Sequence, residues 1–224
     1  MTQPKVAATL AAVFIFWLIS FSAAFADETV QIGNSAAVLL RAGAPAASVI
    51  LMPGGDGLIS PGPNGEINRL LGNQLVRTRN AYLARGLAVL VVDADIDLVR
   101  AAQFMAQLKA PVTVIATSRG TIRAAVGIAR GAKPNALVLT SGFLSAESGS
   151  GPNVISILGT PNALPPTLVI HHRDDACQFT QPAGVAPFHC VVCWSRARRV
   201  AQRRHFSRRS LRGPRLSRLQ WPRR

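Results

Sequence analysis

Three short polar segments of the chain each follow a run of apolar residues, and together they contain the residue types used in nucleophilic acyl chemistry. Ser118 follows one run, the glycine-rich segment Pro53–Gly57 follows another, and the loop His171–Cys177 supplies histidines and carboxylates after a third. A serine activated by a histidine and oriented by a carboxylate attacks carbonyl carbons, and backbone N–H groups of a tight turn stabilise the oxyanion that forms. The residue types therefore indicate acyl transfer, and each segment also has a purely structural alternative.

Ser118 is the central residue of Ala-Thr-Ser-Arg-Gly, directly after the apolar run Val112–Thr117. A serine on a sharp strand-to-helix turn projects its hydroxyl from the sheet, provided that small residues two positions before and after it let the helix pass close to the strand. Ala116 and Gly120 meet that steric demand, and N–H groups at the start of a helix favour developing negative charge. The structural alternative is that Ser118 is an ordinary helix N-cap.

The segment Pro53–Gly57 reads Pro-Gly-Gly-Asp-Gly and follows the apolar run Ala47–Met52. Its glycines permit a sharp turn that presents N–H groups outward, as an oxyanion hole requires. An ordinary glycine-rich turn is the structural alternative. A phosphate-binding loop is excluded because the lysine and the hydroxyl residue of that motif are missing.

The loop His171–Cys177 reads His-His-Arg-Asp-Asp-Ala-Cys and follows the apolar run Thr167–Ile170. An acid just past a late strand is where the orienting member of a Ser-His-acid triad is expected, and Asp175 follows Ser118 in the corresponding chain order. A loop held by a salt bridge from Arg173 is the structural alternative. One thiol and one acid in a single loop are weak evidence for a metal site, so we predict no metal and no cofactor.

Short apolar runs alternate with longer segments of helical spacing, which predicts an α/β fold with a doubly wound, mostly parallel sheet and helices on both faces. The predicted strands are Ala47–Met52, Leu87–Val92, Val112–Thr117, Ala136–Thr140 and Thr167–His171. The predicted helices are Ile67–Arg85, Leu98–Leu108 and Thr121–Arg130. Val38–Leu40 is predicted as an antiparallel strand at the edge of the sheet, and Asn153–Pro166 as a loop.

The positive charge of the chain is concentrated at one end. The 224 residues are 49% hydrophobic, which suffices for one buried core and not for two, and the net charge is +15. Residues 196–224 contain 12 arginines and no acid, whereas residues 27–195 contain 12 Lys and Arg against 10 Asp and Glu. The sequence therefore predicts one domain over residues 27–190 and an Arg-rich disordered tail over residues 191–224.

Residues 1–26 have the features of a secretory signal. Lys5 precedes the apolar stretch Val6–Phe21, and Ala24-Phe25-Ala26 has the small residues of a cleavage site. An uncleaved anchor is the alternative, but the stretch is shorter than the roughly 20 residues that span a bilayer. We expect cleavage after Ala26, export to the periplasm or beyond, and no stable membrane anchor afterwards. In an oxidising compartment some of the three cysteines could pair, namely Cys177, Cys190 and Cys193.

Together these segments resemble the α/β-hydrolase superfamily, and more narrowly small exported bacterial hydrolases with a Pro-Gly-Gly oxyanion loop and a His-His-x-x-Asp-x-Cys acid loop. The resemblance covers roughly residues 38–187 and implies Ser118 as nucleophile, Asp175 as triad acid with Asp174 as the fallback, and oxyanion N–H groups from Gly55 and Arg119. It also implies an esterase-like serine hydrolase acting on a small-molecule carboxylic ester or a related acyl compound. Ala116 departs from the family pattern, which has glycine there.

The catalytic histidine that this resemblance requires is missing from its expected place after a last strand. Beyond the acid loop only His189 and His205 are candidates, and neither follows a strand-like run. His171 and His172 are too near Asp175 in sequence to be its usual partner. We therefore expect that the last strand and helix of the fold are missing and that the chain has little or no activity as written.

A shift of the reading frame would explain this ending. The GC-rich codons of Ala, Gly and Val encode Arg and Pro when they are read one base out of step, which matches the composition of the tail. We hypothesise a frameshift between about Thr180 and Ser195. Two other hypotheses remain: a non-catalytic exported protein of the same fold, and a tail that binds anionic surfaces. Nucleic acid is not an expected partner of an exported protein.

Overall fold

The computed structural model describes residues 27–159 and 163–189, and within them a seven-stranded sheet forms the centre of the molecule. Its strands are β1 (Glu28–Ile32), β2 (Ser35–Leu40), β3 (Ala47–Met52), β4 (Leu87–Val92), β5 (Val112–Thr117), β6 (Ala136–Thr140) and β7 (Thr167–Ile170). They lie in the order β1-β2-β4-β3-β5-β6-β7, with β3 to β7 parallel and the first two strands antiparallel. This confirms the predicted mostly parallel sheet.

Helices cover both faces of this sheet. They are α1 (Gln74–Arg77), α2 (Arg79–Leu83), α3 (Leu98–Leu108), α4 (Gly120–Ala129) and α5 (Val154–Leu158), with single 3₁₀ turns at Ala146–Ser148 and Pro182–Gly184. One core cluster lies between the sheet and helices α3, α4 and α5, and the other lies between the opposite face and α1 with α2. The sheet is thus doubly wound, as predicted.

The central strands are aliphatic throughout because both of their faces are buried. In β3, Ile50 packs on the α3 and α4 side and Leu51 on the α1 side, and neither is exposed at all. A polar residue at either position would lie in an apolar core. This explains why these strands were visible in the sequence as continuous runs.

The predicted edge position of the antiparallel strand is wrong. Residues 38–40 belong to β2, but β1 pairs outside it, with Thr29 opposite Val38. The two strands are joined at Gly33 and Asn34, and Gly33 has a positive φ of 65°. Gly-Asn between two strands is a two-residue hairpin signal, and β1 is only partly buried, so it lacks a continuous apolar run.

Two further elements differ from the sequence prediction. The helix predicted from Ile67 starts only at Gln74, where the Asn73 side chain caps it, because the preceding residues form turns with Leu70 at a φ of 56°. The predicted loop after Asn153 contains α5, whose first turn is closed by a reciprocal capping box between Asn153 and Ser156. Both differences reflect capping and turn geometry, which hydrophobic spacing does not reveal.

An aliphatic strip on β7 is exposed within the described part of the chain. Leu168 is 56% exposed and Ile170 is 53% exposed, and they lie beside Val138 and Thr140 of the neighbouring strand. These residues share the sheet face that α1 and α2 cover further along. The predicted signal at residues 1–26 and the predicted tail at 191–224 lie outside the described residues. The expectation that a last strand and helix are missing after β7 concerns the same undescribed part of the chain. None of the helices described is long and apolar enough to cross a bilayer.

Candidate active site

The three polar segments lie at one edge of the sheet, because each follows the carboxyl end of a parallel strand. The Ser118 N–H donates to the carbonyl of Thr140 at 3.0 Å, and the Ser141 N–H donates to Ile170 at 3.1 Å, so the ends of β5, β6 and β7 are tied together. Since neighbouring strands are spaced by about 4.8 Å, Ser118 and the acid loop begin about 10 Å apart.

Ser118 has the backbone conformation of a strained turn. Its φ is +51°, in the left-handed region that non-glycine residues rarely adopt. The N-cap of α4 is Arg119, whose side chain makes no capping bond, and the Ser118 carbonyl accepts hydrogen bonds from the N–H and hydroxyl of Thr121 at 3.0 and 2.7 Å. The Ser118 hydroxyl therefore does not cap the helix, which argues against the ordinary N-cap alternative.

The turn is possible because α4 begins in close contact with the end of β3. A Cβ on Gly120 would lie 2.8 Å from the Pro53 carbonyl oxygen and would also collide with the carbonyl of Met52. Ala116, which replaces the usual glycine, is fully buried opposite Met52 in the β3–β5 register. Alanine is accommodated there, while position 120 has no space for a side chain.

The glycine loop packs directly against this turn. A Cβ on Gly54 would lie 2.9 Å from the Cβ of Ser118 and 3.2 Å from the Thr117 carbonyl oxygen. Gly55 is exposed with a φ of +63°, and the Gly57 N–H donates to the Gly54 carbonyl at 3.2 Å to close the turn. Among the described residues, neither the Gly55 nor the Arg119 N–H has a protein acceptor. Both remain free to bind an oxyanion.

Asp175 is the more buried and more fully hydrogen-bonded of the two loop carboxylates. Its Oδ2 accepts the Thr180 hydroxyl at 3.2 Å, and its Oδ1 accepts the Cys177 N–H at 3.0 Å. Asp174 is exposed and pairs at 3.3 Å with Arg173, which is exposed as well. The salt bridge proposed as the structural alternative thus exists, but it involves Asp174 and leaves Asp175 to a separate set of partners.

The two histidines of the acid loop have partners in that loop and in the residues just after it. The Nε2–H of His171 donates to the Thr180 carbonyl at 2.7 Å and lies 3.4 Å from Asp175 Oδ2, with the side chain only 4% exposed. A carbonyl oxygen can only accept, so the proton is on Nε2. His172 Nδ1 accepts the Asp174 N–H at 3.1 Å. These partners do not include the Ser118 hydroxyl for either histidine of the acid loop.

Three residues contribute to the site without having been singled out in the sequence, namely Thr121, Arg123 and Thr180. Thr121 holds the turn around Ser118, Arg123 hydrogen-bonds to carbonyls of the glycine loop, and buried Thr180 binds Asp175. Thr180 has a further effect, because its hydroxyl, followed by the Phe179 N–H, lowers the pKa of the exposed Cys177 thiol from its ordinary value. In the described ranges there is no cluster of three potential metal-ligating side chains.

Comparison with known proteins identifies the fold of the chain through solved structures. No protein-family model matches the chain, and the comparison with curated proteins found no match. Solved structures do match: the Thermus thermophilus protein TT1662 is 16% identical over 74% of this chain and 82% of its own, with a TM-score of 0.51. A carboxylesterase of Lactobacillus plantarum is 11% identical over 75% and 78% of the two chains, with a TM-score of 0.52. The chain has the α/β-hydrolase fold.

A third structure of this α/β-hydrolase fold is larger. A puromycin-hydrolyzing peptidase of Mycobacterium tuberculosis is 12% identical over 74% of this chain but only 33% of its own, with a TM-score of 0.52. At identities of 11% to 16%, these likenesses extend to the fold and not to the activity. Ser118 lies on the turn after β5 and Asp175 lies after β7, and these are the two residues expected from the sequence as nucleophile and triad acid.

The strain at Ser118 predicts an inversion of the usual order of stability for glycine and alanine. Because glycine adopts a positive φ without steric cost, Ser118→Gly is expected to be more stable than Ser118→Ala by about 0.5–1 kcal/mol. Urea denaturation measures the free energy of unfolding of both variants. The same pair at exposed Ser150, which has no positive φ, is the control and is expected to show no advantage for glycine. Equal stability of the two variants at position 118 would contradict the strained turn.

Proposed function

We propose that this protein is an exported serine hydrolase of carboxylic esters or related small-molecule acyl compounds, with Ser118 as its nucleophile. The observation that carries the proposal is the left-handed Ser118 on the strand-to-helix turn, with its Cβ against the backbone of Gly54. A helix N-cap or a core serine needs neither the strained backbone nor a glycine at the facing position. The combination is what a nucleophile on a strand-to-helix turn that faces an oxyanion hole requires.

In the proposed reaction the Ser118 oxygen attacks the acyl carbon, its proton passes to a base, and the carbonyl π electrons move onto oxygen. The N–H groups of Gly55 and Arg119 then stabilise the oxyanion, at about 3 kcal/mol per donor. The first turn of α4, a helix of 10 residues, adds its positive dipole end. Collapse of the tetrahedral intermediate breaks the bond from the acyl carbon to the alkoxy oxygen, which takes the proton back from the base and leaves as the alcohol. Water then hydrolyses the acyl-Ser118 ester.

The base in this reaction is an imidazole placed between Ser118 and Asp175. The acid loop supports this role for Asp175, since two donors hold its carboxylate while it remains partly exposed. His171 is bound to Thr180 and does not supply that imidazole. Loss of a triad histidine lowers turnover by something on the order of a millionfold. We therefore propose that the chain as written is an impaired hydrolase, unless His189 or His205 is recruited.

Added imidazole should restore the acylation step if Ser118 and Asp175 have these roles. A fluorophosphonate probe reports this step, because the Ser118 oxygen bonds to phosphorus, fluoride leaves and the proton goes to the imidazole. We expect slow labelling of the chain alone and a rate about tenfold or more higher with imidazole. Mass spectrometry of the labelled peptide gives the rate and the site. The proposal fails if Ser118→Ala is labelled as fast as the parent chain. It also fails if the parent chain is not labelled either with or without imidazole.

Asp175 and its neighbour provide a matched pair of variants for the same assay. Asp175→Asn is expected to abolish most of the imidazole effect, because the carboxylate orients the ring and stabilises its protonated form. Asp174→Asn changes the charge by the same amount at an exposed position and is expected to leave the rate unchanged. The opposite outcome would transfer the role to Asp174. Fast labelling without imidazole would instead show that the chain already holds a base.

We also propose that the frameshift accounts for the missing histidine. Exposed Leu168 and Ile170 support the proposal, because a further strand and helix beside β7 would cover this aliphatic strip. DNA sequencing across the codons from Thr180 to Trp194 and beyond tests it. We expect one inserted or deleted base and, downstream, a second open frame that encodes an apolar strand followed by a histidine. The absence of any alternative open frame would end the hypothesis.

Export with cleavage after Ala26 is supported by the contacts of the next residue. Asp27 pairs with Arg79 at 3.5 Å, and Gly65 packs against its backbone, so a chain that starts at Asp27 retains every described element of the fold. When the full chain is expressed in a bacterium, the exported form should begin at Asp27, as read by mass spectrometry of its N-terminal peptide. Ala26→Glu should block cleavage, whereas Phe25→Leu, at the tolerant middle position, should not. Recovery of only the uncleaved chain would favour a membrane anchor.

A further inference from the structure

Arg123 lies on α4, one turn after the strained serine, and its half-buried side chain extends to the glycine loop. The guanidinium donates to three carbonyls of that loop: to Pro53 in a short hydrogen bond, to Asp56 at 3.4 Å and to Gly55 at 3.5 Å. Gly57 packs against the same group so closely that a Cβ there would collide with it. One side chain of the nucleophile helix therefore holds the whole length of the candidate oxyanion loop.

This guanidinium has no carboxylate partner among the described residues, although acids lie nearby. Asp56 pairs with Arg69 at 2.8 Å, and the Asp93 carboxylate accepts the N–H groups of Ile59 and Ser60 at 3.3 and 3.1 Å. Burial, and then the charge of Arg119, lower the pKa of Arg123 from its ordinary value. A partly buried cation whose acceptors in the described residues are carbonyl groups does not form a stabilising ion pair. Its effect is therefore on the geometry of the glycine loop, whose carbonyls it binds.

The geometry follows from the planarity of the peptide unit, in which the C=O and the next N–H point in opposite directions. The carbonyls of Pro53 and Gly55 face Arg123, so the N–H groups of Gly54 and Asp56 point away from it. Between these two units, the Gly54 carbonyl accepts the Gly57 N–H, which turns the Gly55 N–H outward. The peptide that carries the candidate oxyanion donor is thus fixed on both sides by units bound to Arg123.

We propose that Arg123 is a positioning residue that orients the N–H groups of residues 54–56 for the oxyanion formed at Ser118. The proposal rests on the proposed function of Ser118 as nucleophile. Arginine suits this role because its planar fork binds several carbonyls at fixed angles, whereas a lysine ammonium is a single point charge. Since Arg123 lies on α4 and Arg119 is the N-cap of the same helix, one rigid helix sets both halves of the candidate oxyanion hole.

The test compares Arg123→Met, Arg123→Lys and the control Arg130→Met, which removes an exposed arginine at the C-cap of the same helix. Saturation kinetics of Ser118 labelling by the fluorophosphonate, with imidazole present, separate probe binding from the covalent step. We expect Arg123→Met to slow the covalent step by roughly tenfold to a hundredfold with little change in probe binding, because the donors are misdirected and not lost. Arg123→Lys should fall between this variant and the parent chain. Arg130→Met should behave as the parent chain does.

Two measurements distinguish the positioning role of Arg123 from a general contribution to stability. One is rescue by added guanidinium, and the other is hydrogen exchange, which does not depend on activity. In Arg123→Ala, millimolar guanidinium should recover part of the labelling rate, which a general loss of stability would not allow. Hydrogen exchange of the amides of residues 54–57 should be faster in the Arg123 variants than in the parent chain and in Arg130→Met. If Arg123→Met does not fold, Arg123→Lys is used for both measurements. An unchanged covalent step, or unchanged exchange in the loop, would overturn the proposal.

The two proposals fail in different ways in this experiment. If the parent chain is not labelled at Ser118 even with imidazole, the proposed hydrolase function is lost, and the exchange of the 54–57 amides still decides whether Arg123 orders the loop. If the parent chain is labelled and the Arg123 variants are labelled equally fast, the function stands and the positioning role is wrong.

Discussion

The close contact between the start of α4 and the carboxyl end of β3 is the constraint on which the site depends. Gly120 lies against the carbonyls at the end of that strand, and Gly54 lies against Ser118, so neither position can carry a side chain. This contact forces the sharp turn after β5 and sets the glycine loop beside the serine. The sheet below it supplies rigidity, because β3 and β5 are neighbours buried on both faces.

Much of the sheet could be predicted from the sequence, because the parallel strands are apolar throughout and each ends at a polar segment. The bounds predicted for β3, β4, β5 and β6 agree with the structure. The antiparallel hairpin was less visible, since β1 is short and partly exposed and its partner is inner rather than peripheral. The predicted helix from residue 67 failed because Leu70 and the residues around it form turns that hydrophobic spacing does not encode.

The candidate site was predictable only where chemistry coincides with a local pattern. Ser118, Gly55 and Asp175 each occur in a short motif after a strand, so sequence reasoning could propose them. Arg123 could not be proposed in this way, because its acceptors are main-chain carbonyls that lie 67 to 70 residues away and carry no side-chain signature. Thr180 was missed for a related reason: a hydroxyl that holds a carboxylate looks like any other loop threonine.

The left-handed backbone at position 118 has a consequence for how such a chain changes over generations. A residue held in an unfavourable conformation is retained only while its chemistry is useful, since most proteins sit just above the stability they need. Once selection on the proposed catalysis weakens, replacement by glycine relieves the backbone and removes the proposed nucleophile in one step. Drift at this position is therefore biased towards a sturdier and inert descendant.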